Sequence, residues 1–507
     1  MTDLHLPWLE ASILISLLGA LVVSRLRNSD EARRWALGFS GIALFSTVGA
    51  WLDFHELHVL EADDCWHLMT YIFGREVLII DQLSAPLLPL VALLYFLTAL
   101  ATLRTKIRRF SFALTLVSEA IVLAMFSCKE PWGIILLLSL GTIPPAIEML
   151  HRGRPIRVYT IHMVLFVTLM CVGQWYVDME GGETQRIHSL WAIVPLLLAV
   201  FIRSGIAPFH LWMTDLFEHA TFGTALLFVT PIAGAYAAVR LVLPVAPDWV
   251  LRSIGLISLF TAVYASGMAL VQREARRYFC YLFLSHSAFV LMGLEIVTPT
   301  ALTGALCVWL SIGLSLGGFG LTLRALEGRR GRLSLTDFKG LYEHTPALAV
   351  CFLLTGLASV GFPGTLGFIG TELLVDGVVE AYPYIGIAIV LAGALNGIGM
   401  VQTYFRLFTG TRYTSSVSLQ ISPRERFAVL ALAALLLAGG LAPQSNVRSR
   451  FDAAEELLIE REAVSGSPPL EREADHDHDH DHDDDEHEHK AGDKQAAPSV
   501  EHEPKHH

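Results

Sequence analysis

The sequence predicts an all-α polytopic membrane protein with about fourteen transmembrane helices, each long enough to cross ~30 Å of hydrocarbon. Three observations support this. Of the 507 residues, 53% are hydrophobic and only 17% charged, and the mean hydropathy is +0.52. Runs of roughly 18 to 25 apolar residues recur from end to end. Two of these runs are interrupted in the same way, at Arg203-Ser-Gly-Ile-Ala-Pro-Phe-His210 and Val360-Gly-Phe-Pro-Gly-Thr-Leu-Gly367. Gly and Pro there break helix hydrogen bonds where no water can replace them, so the freed backbone must face protein or a wet cavity. A pair of such breaks, about 155 residues apart in matching halves, points to a transport pathway near the bilayer midplane.

The predicted spans follow one another with charged punctuation. Span 8–24 is preceded by Asp3 and Glu10 rather than a basic region and has no small-residue cleavage site, so it is expected to remain as a helix and not act as a signal peptide. Arg25, Arg27, Arg33 and Arg34 separate it from 36–52. An acidic loop (Asp53, Glu56, Glu61, Asp63, Asp64) leads to 80–103, and Arg104, Lys106, Arg108 and Arg109 lead to 110–128. Span 131–150 ends at Arg152, Arg154 and Arg157, and 156–178 ends at Asp178, Glu180 and Glu183. The broken span 189–217 and span 221–243 follow, then 249–271, which ends at Arg273, Arg276 and Arg277. Spans 276–297 and 301–325 lead to Arg324, Arg329, Arg330 and Arg332. The broken span 346–376 and 383–406 precede Arg412, Arg424 and Arg426, and 427–443 closes the series.

Basic residues thus alternate with acidic or bare loops. The positive-inside rule places both termini outside the cytoplasm of a bacterial inner membrane. The net charge of −12 belongs mostly to the tail, since residues 466–507 hold 14 acidic and 4 basic residues. Six scattered cysteines form no CxxC or Cys/His cluster, so no iron–sulfur, zinc or disulfide framework is expected. Neither GxGxxG nor GxxxxGK[ST] occurs, so no nucleotide cofactor or nucleic-acid partner is expected and the energy must come from an ion gradient or a partner subunit.

From Ser465-Gly-Ser-Pro-Pro469 onward the chain is too polar to bury a core, and residues 465–507 are expected to be disordered. There Asp475-His-Asp-His-Asp-His-Asp-His482 alternates acid and imidazole. His476, His478, His480, His482, His487 and His489 suit zinc or another divalent metal, held weakly; the plainer reading is a solvating acidic tail.

Between residues 110 and 410 the chain resembles the antiporter-like subunits of respiratory complex I and of Mrp-type antiporters. Ser118-Glu119, Glu130 and Ile143-Pro144 fit the corresponding stretch without a gap. Arg203-Ser-Gly-Ile-Ala-Pro-Phe-His-Leu-Trp-Met-Thr-Asp215 resembles that family's Lys-x-Pro-x-x-Pro-x-His-x-Trp-Leu-Pro-Asp, and Gly234-Ala-Tyr-Ala-Ala-Val-Arg240 its Gly-x-Tyr-x-x-x-Arg. Gln272-Arg-Glu-Ala-Arg-Arg-Tyr-Phe-Cys-Tyr281 through Ser285-His286, and Phe362-Pro-Gly-Thr365 with Gly367-Phe368, match two further motifs. The resemblance implies two inverted five-helix repeats, each with a broken helix. It divides the chain into a three-helix segment (1–109), a first repeat (110–245), a second repeat (246–410), a last span with a short helix (411–464), and the tail (465–507).

The departures from that family matter as much. Its span 5 Glu pairs with a span 7 Lys; here those positions are Ser139 and Arg203. The span 8 Lys falls on Ile232, the span 11 His on Ile312, and the span 12 acid on Thr371, with Glu372 one place later and about 100° around the helix. A desolvated lysine can lose its proton, whereas arginine cannot, so the family's relay cannot run unchanged. Arg203 needs a counter-charge, and Glu119 and Glu148 are the expected candidates. The candidate ion pathway is Arg203, Glu119, His210, Ser139, Asp215, His286 and Glu372, with breaks at Pro208, Pro363 and Gly364. For His210 and His286, as for His162, a hydrogen-bonded structural role is the alternative. Asp215 is a proton-entry group or a solvated loop acid, and Arg276 and Arg277 are topology anchors.

Three functions fit. The stripped second half and stand-alone size resemble the membrane subunit of DAB-type inorganic-carbon accumulation complexes, whose partner is a large cytoplasmic zinc subunit resembling β-carbonic anhydrase. The alternatives are a proton-pumping subunit of a complex I-like oxidoreductase or Mrp antiporter, and a structural subunit that conducts nothing.

Overall fold

The computed structural model describes residues 2–68, 71, 74, 77–103, 106–107, 110–182, 188–295, 298–410 and 422–465. The histidines offered as tail metal ligands, and Arg104, Arg108, Arg109, Glu183 and Arg412, lie outside them. Helices occupy each predicted span. Among the described residues nine are long and apolar enough to cross a membrane unaided, and ten if one bent pair counts as a single span. The protein is a multi-pass membrane protein.

Helices α1 (Trp8–Arg25) and α2 (Ser29–Leu57) form a hairpin. Asn28 caps α2 by accepting from the Asp30 N–H at 3.1 Å, a placement that satisfies a free helical donor. After α2 comes an element that hydropathy does not show, a three-stranded sheet of β1 (Thr2–Asp3), β2 (Glu61–Asp63) and β3 (Ile79–Asp81). β1 pairs parallel to β2, and β2 antiparallel to β3. The span expected over 80–103 therefore begins as strand and turn. Asp81 accepts from the Ser84 N–H at 2.9 Å and its own N–H donates to Ser84 Oγ at 3.1 Å, so helix α3 starts only at Leu87 and runs to Leu100.

α4 (Phe112–Phe126) is followed by α5 (Pro131–Gly141) and α6 (Ile143–His151), one predicted span divided at Thr142 ahead of Pro144 and Pro145. Both prolines lack the N–H a continuous helix needs. α7 (Arg157–Met179) precedes the first broken span, α8 (Leu190–Ser204) and α9 (Leu211–His219). Span 221–243, expected to be continuous, is also broken. α10 (Phe222–Val229) stops at Thr230-Pro231, Ile232 turns left-handed at φ 52°, and α11 (Ala233–Ala237) runs into a π-turn at Ala238–Val242.

α12 (Asp248–Leu270), α13 (Ala275–Glu295) and α14 (Pro299–Arg330) follow. α15 (Pro346–Ser359) and α16 (Leu366–Ala381) form the second broken span, ahead of α17 (Pro383–Phe408). α14 and the 222–242 segment are buried along their whole apolar windows, whereas only a third of α7 and α17 is covered. The former make the core and the latter present apolar faces outward.

α18 (Pro423–Leu441) bends by 83° into α19 (Pro443–Ser465), the short helix expected at the end of 411–464. It is polar and is anchored by arginines. Arg450 donates to the Gln82 carbonyl at 2.6 Å, and Arg461 to the Leu243 carbonyl at 2.8 Å and to Asp248. The predicted basic loops meet on the opposite face. Arg276 pairs with Glu327 and donates to the Phe217 and Ala220 carbonyls, Arg277 pairs with Glu218, and Arg329 pairs with Glu425.

Candidate functional site

Arg203 stands in the last turn of α8. The helix ends there because Gly205 adopts φ 73°, open to glycine without a Cβ penalty. Its N–H donates to the Ile202 carbonyl at 3.2 Å, and the Ile206 N–H to the Phe201 carbonyl at 2.9 Å. This is a Schellman ending. The cis Ala207–Pro208 bond then carries the chain across the gap to α9.

Arg203 is 6% exposed. Its guanidinium carbon lies 4.1 Å from the Phe228 ring centroid and 5.9 Å from that of Trp212. Its hydrogen bond, to the Phe228 carbonyl, is long at 3.4 Å, and Nε has no partner. No carboxylate lies within ion-pairing distance among the described residues. Neither expected counter-charge faces it. Glu148 accepts from the Thr221 N–H at 2.8 Å, from the Thr224 hydroxyl, and from Arg152 at 3.4 Å, so the basic-face loops occupy it. Glu119 is fully buried and accepts from the Ser40 hydroxyl at 2.8 Å, while its second oxygen has no partner. Cation–π contact contributes about 2 kcal/mol when desolvated and the helix C-terminus about 0.3–1. An uncompensated charge at the bilayer centre costs ~3 kcal/mol on insertion scales and more in simulation. The protein groups in contact with Arg203 nearly match the insertion-scale cost and fall well short of the simulated one.

Beside the guanidinium is a small cavity, about 20 Å³ of free volume, lined by Tyr95, Ser118, Leu138, Phe228 and Pro231. The Tyr95 and Ser118 hydroxyls are 2.7 Å apart. A second, of about 10 Å³, shares Tyr95, Ser118 and Phe228 and continues past Thr115 to Thr224 and Glu148. Hydroxyls thus mark a route from Arg203 toward the basic face. Ser139 does not line either cavity; its hydroxyl donates to the Ile135 carbonyl at 2.6 Å. Ser204 packs so closely on Gly234 that a Cβ there would lie 2.2 Å from the Ser204 hydroxyl.

His210 is buried between the rings of Tyr264 and Tyr281, with centroids 5.6 and 5.8 Å away, and its Nδ1 has no partner. Asp215 pairs with His219 at 3.1 Å. His162 bonds back to its own helix at Val158.

The second break repeats the first. Gly361 adopts φ 79° and its N–H donates to the Ala358 carbonyl at 3.3 Å, while the Phe362 N–H donates to the Leu357 carbonyl at 3.1 Å. Gly364, after Pro363, is also left-handed at φ 84°. His286 Nε2 faces the Ser359 carbonyl at 2.7 Å and Nδ1 the Leu282 carbonyl at 2.8 Å. Only a ring carrying both N–H groups donates to both. Glu372 is exposed on α16 and is not brought to these groups. The Thr371 hydroxyl donates to the Gly367 carbonyl, and Ile232 and Ile312 are buried apolar side chains.

Two polar clusters were missed from sequence. Buried Asn396 donates to Ser285 Oγ at 2.9 Å, which donates to the Ala262 carbonyl at 2.9 Å. Buried Asp81 pairs with Arg240 and lies 3.7 Å from Lys129, which also pairs with Glu61 and Glu460. A lone acid and a lone arginine at the edges of apolar runs were the available signal.

Residues 161–396 match the family model described as NADH:quinone oxidoreductase/Mrp antiporter, TM. The NAD(P)H-quinone oxidoreductase chain 4 1 of Synechococcus elongatus is 25% identical, over 88% of this chain and 90% of its own. The NADH-quinone oxidoreductase subunit 13 of Thermus thermophilus is 26% identical, over 71% and 81%. The fold is similar to a chain of respiratory complex I from Thermus thermophilus, with TM-score 0.76, 21% identity and coverage of 89% of this chain and 99% of that one. It is equally similar to a chain of the Mrp complex from Dietzia sp. DQ12-45-1b, with TM-score 0.78, 18% identity and coverage of 90% and 99%.

Proposed function

We propose that the chain, an antiporter-like membrane protein by its family match over residues 161–396, moves protons or sodium ions within a larger membrane assembly of the quinone-oxidoreductase or Mrp-antiporter kind. The carrying observation is the buried Arg203 at a helix break, beside hydroxyl-lined cavities that lead toward the basic face. Relatives named as quinone oxidoreductase chains span nearly the whole chain, which favours this reading over inorganic-carbon uptake. In this reading about fourteen crossings form, residues 110–245 and 246–410 are inverted repeats, and the basic face is cytoplasmic. The matching Schellman endings at Gly205 and Gly361 support the repeat. Glu119 is the titrating acid, His210 and Asp215 continue the route in the first repeat, and His286 serves the second. Energy comes from partner subunits.

The loss of the family acid at Ser139 and the exchange of lysine for Arg203 favour one second reading, coupling to a cytoplasmic zinc subunit that hydrates inorganic carbon. Affinity purification of the tagged chain separates the two. Membrane subunits of an oxidoreductase or antiporter support the first reading, and a large soluble zinc protein supports the second. Proteoliposomes holding the purified assembly, with a pH dye inside and an imposed sodium or proton gradient, test conduction. A trace identical to that of empty vesicles overturns both and leaves a structural subunit.

A further inference from the structure

We propose that Arg203 holds a small monovalent inorganic anion, of halide or hydroxide size, inside the membrane. The site is built from three donors on three helices, with no acid among them: the Arg203 guanidinium on α8, the Tyr95 hydroxyl on α3 and the Ser118 hydroxyl on α4 all line one cavity. Its free volume of about 20 Å³ admits one water-sized guest. A polyatomic anion such as phosphate is too large for it.

The charge favours such a guest. Arg203 is more than nine-tenths buried, its Nε donor is unpartnered, and the two expected counter-charges turn elsewhere, Glu119 to Ser40 and Glu148 to Thr221, Thr224 and Arg152. The remaining side chains of the wall are apolar, so the Phe228 carbonyl, at a long 3.4 Å, is the competing acceptor. An anion accepting from a terminal guanidinium N–H and from either hydroxyl gains charge-assisted hydrogen bonds that neutral water cannot match. Ser118 and Tyr95 share their own contact at 2.7 Å, so one hydroxyl donates to the other and the pair keeps one proton to point at the guest. The second cavity, which shares Tyr95 and Ser118, lies on the basic-face side of the site. The first repeat then carries a fixed cation with an exchangeable counter-ion where its relatives are matched by a Lys–Glu pair. This inference concerns the same site as the proposed function but does not require transport, because binding is read on the isolated protein.

The test is the melting temperature of the purified assembly in detergent, with sodium gluconate replaced stepwise by sodium chloride at constant ionic strength. A ligand bound only by the native state gives a rise that sets in near Kd and then grows with the logarithm of concentration, about 1–2 °C at ten times Kd. Wild type is expected to show it, Arg203→Lys to keep it with an onset at higher chloride, and Arg203→Met to lose it. Should Arg203→Met fail to fold, Tyr95→Phe serves instead, with an onset at several-fold higher chloride expected. Where chloride has no effect but raising the pH from 7 to 9 in gluconate stabilises wild type and not the variant, the guest is hydroxide. Melting that is indifferent to both, or an equal response in wild type and the variants, overturns the proposal. Vesicle flux measured on the same preparations reports separately on transport.

Discussion

Arg203 and Ser359 occupy the same place in two helix endings of the same form. Each is two residues before a left-handed glycine, Gly205 or Gly361, and each ending is closed by the same pair of backbone hydrogen bonds. What hangs on this frame differs. In the first half the side chain itself is the cation, whereas in the second the backbone carbonyl receives an imidazole from His286. A helix C-terminus favours positive charge, and the two halves use it in different ways.

Arg203→Ala is expected to lower gradient-coupled activity by about tenfold or more, and Arg203→Lys to retain a part. Everted membrane vesicles with normal protein levels are the assay. Wild-type rates in the alanine variant would remove Arg203 from the pathway.

Glu119→Gln keeps the shape and the Ser40 hydrogen bond while deleting the charge change. Folding should survive and ion movement should not. A pH–rate profile from 6 to 8 that matches wild type would show that the proton runs elsewhere.

Gly234→Ala puts a methyl group 2.2 Å from the Ser204 hydroxyl. Overpacking of this kind costs about 1–3 kcal/mol, and relief requires Ser204, and with it Arg203, to move. A lower melting temperature with impaired activity is expected. Ala237→Gly, in the same short helix, should lower stability without displacing Arg203.

For Asp81, burial pushes the carboxyl up, but the Arg240 guanidinium and the Lys129 ammonium outweigh it and hold the group below the usual carboxylate range. Asp81→Asn strands the buried Arg240, while Lys129 keeps Glu61 and Glu460, and should cost about 3–5 kcal/mol in chemical unfolding. In an Arg240→Met background the same change should cost much less. Equal costs in both backgrounds would mean that the pair is not coupled.

Asp64 gives the opposite pH behaviour. Burial pushes its carboxyl up to about 6, against the Glu10 N–H that donates to it at 2.6 Å. An unfolded aspartate titrates near 3.9, so the folded protein holds the proton over the interval between. Its contribution therefore worsens as pH rises from about 4 to 6, by ~1.4 kcal/mol per unit, and is flat above. Melting curves of wild type and Asp64→Asn should converge toward pH 4 and separate by pH 6.5, with wild type the less stable.

The helices were legible because long apolar runs have few other ways to exist in lipid, and the breaks at Gly205 and Gly361 because Gly and Pro are rare punctuation there. Thr142 and Ile232 escaped notice for the converse reason. Pro144, Pro145 and Pro231 stand in those stretches, but hydropathy does not fall across them. Strands of two or three residues leave no periodicity, so the sheet was invisible. The counter-charge of Arg203 was misassigned because proximity along the chain does not say which way a carboxylate faces. Glu148 turns to the Thr221 backbone and Glu119 to Ser40. Glu372, expected near the second break, is exposed.

α14 has a consequence for tolerance to sequence drift. Its 32 residues, about 48 Å of helix, carry an apolar window wholly enclosed by protein, and Gly304, Gly313, Gly317, Gly318 and Gly320 lie against neighbouring side chains or backbone too closely for a methyl group. A hydropathy plot cannot tell this helix from α7, yet α7 borders lipid, where one branched aliphatic side chain serves as well as another. In a library of hydrophobic-for-hydrophobic exchanges, α7 should accept nearly all and α14 very few. The permitted alphabet at each position, rather than greasiness, would then distinguish the helix at the centre from those at the rim.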